Sequence, residues 1–212
     1  MTTTELLALF RSEVRDLELP YLWSDAQVYG FIDDAQKIFC RDTYGVADAR
    51  QFTIAIAPDA EWYTISPLIL KLRDAVNSVT GRSVPIIAVE KMEAEKMKFN
   101  GIKGPIRALI SGLEKGVLRA WPIPTLAVTL NLLTFRLPAD VGAGDDLEID
   151  PQHHRHLLYW VKYLAYDVQD AETYDKQASD KYRAKHDAYC AKALNEQSRA
   201  SHSAGTVIYG GI

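Results

Sequence analysis

Phe52-Thr53-Ile54-Ala55-Ile56-Ala57 sets large apolar side chains at every second position, the pattern of a strand with one buried face. The residues before it follow another period. Thr2 and Glu5 have capping-box spacing, and Leu6, Leu7, Phe10 and Val14 then form a helical stripe. Leu19-Pro20 closes that helix. Ser24 and Gln27 repeat the capping box ahead of Val28, Phe31, Ile32, Ala35, Ile38 and Phe39, which share one face of a second helix, and Gly45 is a natural stop. The chain thus changes from a period of 3.6 to a period of two near residue 50.

Downstream, Pro58-Asp59 turns the chain, and Trp62-Tyr63-Thr64-Ile65 is a second strand ended by Pro67. Leu68 to Val76 fits helix or strand, and the turn at Thr80-Gly81-Arg82 favours strand. Glu90 to Lys98 carries the charges of a short exposed helix. Phe99 to Pro105 is expected to be a loop. Ile106–Ile110, Val117–Trp121 and Leu126–Phe135 are rich in β-branched and aromatic residues, with a hairpin loop expected over Gly112–Gly116. A polar loop over Pro138–Glu148 leads out.

The last third is helical again. Asp150 is an N-cap with Pro151 at the first helical position, and Leu157, Val161, Leu164, Ala165 and Val168 supply the buried stripe. A final helix is expected from about Asp170, where Asp170, Glu172 and Asp175 precede Lys181, Arg183 and Lys185, the order the helix dipole favours. Its least polar face is thin: Tyr174, Ala178, Tyr182, Tyr189 and Ala193. Such a helix needs a neighbour to lean on. The expected fold is therefore α+β: a bundle of N-terminal and C-terminal helices with an inserted small antiparallel sheet or sandwich. The corresponding parts are residues 1–48, 49–148 and 149–198, followed by a free arm at 199–212 with one sticky segment, Val207-Ile208-Tyr209.

Composition narrows the function classes. The 212 residues carry a formal charge of −4, which is no footprint for gripping nucleic acid by its phosphates. No apolar run is long enough to cross a bilayer, and the N-terminal segment, with Glu5 and Glu13 around its short apolar core, is unlike a signal peptide. Cys40 and Cys190 are the only cysteines, and reduced, partly buried thiols are expected.

Catalytic motifs are missing from the sequence. It has no Gly-x-Ser-x-Gly elbow, no complete phosphate loop around Gly101-Ile102-Lys103-Gly104 and no Gly-x-Gly-x-x-Gly. Cys40 has no histidine or asparagine partner in a familiar order. His153 and His156 stand one helical turn apart and, with Asp150, would suit a metal ion. They lie in the first turns of a helix, where polar residues are ordinarily solvated, and no second His/Cys pair accompanies them. Asp145, Asp146, Glu148 and Asp150 lack the EF-hand ligand pattern and suit a solvated acidic loop. The expectation is no catalytic residue, no cofactor and no metal. Tyr159, Trp160, Tyr163 and Tyr166 give one helix aromatic surface on more than one side, which suits core packing or subunit contact equally.

Several short motifs, in their order and spacing, resemble the head–tail adaptor (connector) proteins of short-tailed bacteriophages. Leu22-Trp23-Ser24-Asp25-Ala26-Gln27 followed by Phe31-Ile32-Asp33-Asp34-Ala35-Gln36 is similar to the opening cap and helix of that family. Ile149-Asp150-Pro151-Gln152-His153-His154, running into Leu157-Leu158-Tyr159-Trp160-Val161, resembles its later helix. Asp167-Val168-Gln169-Asp170-Ala171-Glu172 resembles the break before its last one. Tyr63–Pro67 and Trp121–Pro124 stand where the family has proline-ended strands. Two departures are the Asp150-Pro151 order and His153 in place of a tyrosine.

The resemblance implies a non-enzymatic ring of about twelve copies beneath the portal in the virion neck, assembled in the host cytoplasm. Its partners would be portal protein, a tail nozzle or tube protein and further copies of itself, with DNA passing through the channel unbound and no membrane involved. Tyr159, Trp160, Tyr163, Tyr174, Tyr182, Tyr189, Val207, Ile208 and Tyr209 are the expected contact residues. Three alternatives stay open: a tail-tube or nozzle component, a monomeric binding module, and a small metal-dependent enzyme built around the histidines.

Overall fold

The computed structural model describes residues 1–94, 101–170 and 172–201. Two helices come first, α1 (Thr3–Val14) and α2 (Asp25–Asp42). Strands β1 (Val46–Asp48), β2 (Thr53–Ile56), β3 (Trp62–Thr64), β4 (Ile69–Asn77), β5 (Ser83–Val84) and β6 (Ile86–Ala88) follow, then the short helix α3 (Val89–Ala94). Next come β7 (Lys103–Gly104), β8 (Ala108–Glu114), β9 (Val117–Trp121), β10 (Ile123–Pro124) and β11 (Val128–Arg136). The chain closes with α4 (Pro151–His154), α5 (Leu157–Asp167) and α6 (Lys176–Ser201). This is a mixed α+β fold. None of the helices among the described residues is long and apolar enough to cross a membrane.

The chain forms two compact units, one of Met1–Tyr44 with Pro138–Ile212 and one of Gly45–Leu137. In the helical unit both capping boxes form: Thr2 and Ser24 each accept from the backbone N–H three residues on, and Glu5 and Gln27 reach back to the caps. Leu6, Leu7 and Phe10 of α1 are buried, as are Val28, Ile32, Ala35 and Phe39 of α2. The loop after Pro138 is tied down along its length. Gln36 donates to the Ala139 carbonyl at 2.9 Å, Lys37 pairs with Asp140 at 2.5 Å, and Thr3 donates to the Gly142 carbonyl at 2.6 Å. The acidic residues around it serve backbone donors: Asp145 accepts from Gly142, Glu148 from Ala139 and Asp150 from Gln152.

Two larger sheets and the two-stranded pair β7–β10 are found in the other unit. The larger runs β1-β11-β4-β5, with β2 also paired to β11, and is antiparallel throughout. The smaller runs β3-β9-β8-β6 and includes one parallel pair, β6 with β8. Ile54, Ile56, Ala75, Val84, Leu130 and Leu132 from the first join Leu109, Leu118 and Ala120 from the second in one core. The alternation over 52–57 is visible there: Thr53 and Ala55 are exposed, Ile54 and Ile56 buried.

Four expectations are corrected. The segment Phe99–Pro105, expected as a loop, contains β7, which pairs in parallel with β10; its residues 99 and 100 lie outside the described residues. Pro122 and Pro124 lack N–H groups, so Ile123 and Thr125 donate instead, to the Ile102 and Gly104 carbonyls at 2.9 and 3.2 Å. The Gly112–Gly116 loop shrinks to a two-residue turn because β8 continues to Glu114, which pairs with Val117. Gly112, at φ +92°, sits where the register shifts and so allows the strand to continue. The helix after Asp150 breaks into α4 and α5, where His153 donates to the Asp150 carbonyl and His156 to the His153 carbonyl, both at 2.9 Å in three-residue turns. Leu164 and Val168 are only half-buried. Finally, α6 starts at Lys176, because Asp175 is its cap: its carboxylate accepts from Ala178 at 3.0 Å and its carbonyl from Ser179 at 2.9 Å. Tyr174 therefore lies before the helix.

Candidate functional site: the aromatic face of the helical unit

A band of rings lies where α5 and α6 pack. The inward face of α6 is Ser179, His186, Cys190 and Ala193, all buried, flanked by half-buried Tyr182 and Tyr189. Their spacing of three and four residues places them on one helical stripe. The stripe is polar for a buried one, and aromatic side chains from α5 cover it. Trp160 lies 4.8 Å from the His186 ring and 4.7 Å from Tyr163. Tyr166 stacks on Tyr182 at 6.0 Å.

The expected contact residues fall into three groups. Tyr159, Trp160, Tyr163, Tyr182 and Tyr189 are half-buried in this band. Three of them face cations: Lys185 lies over Tyr159 at 5.7 Å, Arg183 over Tyr163 at 5.7 Å, and Lys162 and Lys185 over Tyr182 at 5.0 and 5.3 Å. Tyr174 is exposed. Val207, Ile208 and Tyr209 lie outside the described residues.

His153, His154 and His156 do not converge on an ion-sized point. His153 Nδ1 is 2.8 Å from the Tyr189 hydroxyl, and its ring packs on Phe39. His156 stacks on Tyr189 with centroids 3.7 Å apart. Buried His154 lies between the Ile149 carbonyl, 2.8 Å from Nε2, and the N-terminal ammonium, 3.1 Å from Nδ1. The ammonium can only donate, so Nδ1 accepts and Nε2–H donates. Burial holds both His153 and His156 below the ordinary imidazole range, so both are neutral near pH 7.

A different trio does converge. His186 Nε2 stands 3.3 Å from the Asp42 carboxylate at the end of α2 and 3.3 Å from Cys190 Sγ. Both partners address the same ring nitrogen, so the imidazole cannot relay a proton from the thiol to the carboxylate through its two nitrogens. Burial also pushes the Cys190 thiol up to about 12, which keeps it protonated and a poor nucleophile. Sequence inspection missed this trio because Asp42 is 144 residues from His186. The local sign is the four-residue spacing of His186 and Cys190, a second His/Cys pair that corrects the expectation of none.

It also missed the exposed apolar residues between α1 and α2: Leu17, Leu19, Tyr21 and Leu22. The turn that carries them is held by Arg11. This buried guanidinium bonds Asp16 and Asp25, both at 2.5 Å, and the Trp23 carbonyl at 2.9 Å. In the β unit Trp62, Val79 and Leu126 are likewise exposed. Such residues mean little singly, but several in one short turn mark a contact surface.

A protein-family model described as SU10 adaptor protein matches residues 1–208. No curated protein matches the chain.

Proposed function

The chain belongs to the SU10 adaptor protein family, a phage head–tail adaptor family, and from that premise we propose that it forms a ring between the portal and the tail. Membership makes it a structural component of the virion that interacts with other phage proteins. The finer reading places it in the neck, assembled in the host cytoplasm, in about twelve copies, as one segment of the channel through which DNA leaves.

The family match over nearly the whole chain carries this reading, and the surface supports it. A ring closes by heterologous contacts, in which one patch of each copy meets a different patch of the next. The turn with Leu17, Leu19, Tyr21 and Leu22 offers one such patch, and the outer rims of Tyr159, Trp160, Tyr163, Tyr182 and Tyr189 offer another. In this scheme α6 and residues 199–212, with Val207, Ile208 and Tyr209, meet the portal. The β unit, through Trp62 and Leu126, meets the tail nozzle or tube protein. A net charge of −4 suits a channel wall that lets DNA slide without holding it.

The test is to mix the purified chain with portal particles of its own phage and image them by electron microscopy. An added ring with portal symmetry is the expected result. Portal particles without added density, beside a monomeric chain, would overturn the reading.

A further inference from the structure

We infer that Asp42, His186 and Cys190 form a three-ligand site for a divalent cation of the zinc class, joining the end of α2 to the middle of α6. The three candidate ligand atoms, a carboxylate oxygen, an imidazole nitrogen and a thiol sulfur, all lie within 4.8 Å of one another. Zinc bonds of about 2.3 Å to sulfur and about 2.1 Å to nitrogen, opened to the tetrahedral angle, set those two atoms about 3.6 Å apart. The observed Cys190–His186 separation is 3.3 Å, and His186 to Asp42 is also 3.3 Å. The third pair, Asp42 to Cys190, lies within 4.8 Å, so the ion is admitted by a side-chain shift of at most about 1 Å, which the partly exposed Asp42 can make.

The donor set selects the metal. Sulfur and imidazole together favour zinc and its softer neighbours over calcium or magnesium, which take oxygen ligands. His186 and Cys190 stand one turn apart on a helix, a spacing that directs both donors to one side, and Asp42 supplies the third from another helix. Asp42 remains 45% exposed, which leaves an entry path and room for a water as fourth ligand. On loading, the Cys190 thiol releases its proton to solvent and binds as thiolate.

Such an ion would clamp α6, whose contact face is otherwise thin and polar, to α2. It would act as a structural metal, and the site is independent of how the chain meets its phage partners.

The experiment strips the full-length chain with a chelator and titrates it with Zn2+, following Tm, and with Co2+, following absorption. One equivalent of Zn2+ should raise Tm, and Co2+ should give a thiolate-to-cobalt charge-transfer band. Cys190→Ala should abolish that band, and Asp42→Asn should weaken Zn2+ binding at least tenfold. Asp42 is largely solvent-facing, so the second variant reads the site even if changes at buried positions disturb folding. An unchanged Tm with no charge-transfer band in the native chain overturns the inference. So does a band that survives Cys190→Ala, or undiminished Zn2+ affinity in Asp42→Asn.

Discussion

The indole Nε1 of Trp23 donates a 2.9 Å hydrogen bond to the Ala165 carbonyl, joining the start of α2 to α5 across 142 residues of sequence. Phe10 and Tyr166 meet the indole edge-on, at 5.6 and 5.7 Å. Trp23 is thus one point where the N-terminal and C-terminal helices lock together. Trp23→Phe keeps most of the apolar contact but leaves the Ala165 carbonyl unpaired, for an expected loss of about 1–3 kcal/mol. Trp23→Ala adds a cavity and should cost about 3–5 kcal/mol. Urea denaturation of both variants checks the order; equal losses would mean that the hydrogen bond, not the packing, dominates.

Arg11 makes the adjoining turn equally sensitive. Its guanidinium neutralises Asp16, whose side chain is buried, and stacks on Tyr21 with 3.6 Å to the ring centroid. Arg11→Met keeps much of the volume but strands the Asp16 carboxylate without its countercharge, with an expected loss of about 3–5 kcal/mol. Adding Asp16→Asn to that variant should recover part of the loss, because the stranded charge is gone. Denaturation of the single and double variants measures this, and no recovery would show that Arg11 acts through its other bonds.

Acid should weaken the helical unit before it titrates the carboxylates. His153 is depressed by burial, with Asp150 and Glu196 pulling the other way and His154 adding to the depression. His156 is depressed by burial, then by His153, Lys192 and Arg155, and its stacking partner is Tyr189. In the unfolded chain both rings take up protons as pH falls through about 6.5. In the folded chain they stay neutral to lower pH, so the unfolded state binds more protons and stability falls below about pH 6.5. Glu13 and Asp48 are depressed as well, against their own burial, by ion pairing with Lys162 and by backbone N–H donors beside Arg136 respectively. The stability they lend is lost only further down, below their ordinary values of 4.5 and 3.8. Tm measured from about pH 7.5 to about pH 5.5 should drop, and His153→Gln with His156→Gln should make the slope shallower, leaving the share of His186, which burial depresses in the same direction. An unchanged slope in the double variant would remove these two rings as the cause.

What the sequence disclosed was local. The capping boxes at Thr2/Glu5 and Ser24/Gln27 formed because each involves residues three apart, and Ile54 and Ile56 went inward because alternation dictates it. The α+β class follows from those two periods. Where the reading failed, a distant partner decided. Lys103–Gly104 became a strand only because Ile123 and Thr125 needed acceptors, and the α4–α5 break follows from three-residue turns that periodicity does not register. Among the aromatics, sequence located Tyr182 and Tyr189 on the right helix face yet also put Tyr174 there, ahead of the true cap at Asp175. Arg11 and the Asp42–His186–Cys190 trio were invisible, since ordinary polar residues acquire meaning only from what the fold sets beside them.

Removing residues 199–212 should loosen attachment to the portal while leaving the rest of the chain folded. The cut falls after Ala193, the last buried residue of α6 among the described side chains. Sedimentation of the shortened chain with portal particles measures attachment. Equal co-sedimentation of shortened and full chains would take the portal contact away from this arm.

The turn between α1 and α2 gives the sharpest test of ring closure. Leu19 is 79% exposed and Leu22 48%, so neither contributes much burial to the isolated chain. Leu19→Asp with Leu22→Asp should therefore shift stability by no more than about 0.5 kcal/mol per site. In a ring that covers this turn, the same change buries two carboxylates at a subunit seam without partners, a cost of several kcal/mol repeated at every interface. The expected outcome is an unchanged Tm together with loss of the added ring on portal particles. Rings formed at undiminished occupancy would take this turn out of the subunit interface and leave the aromatic rims of α5 and α6 to carry it.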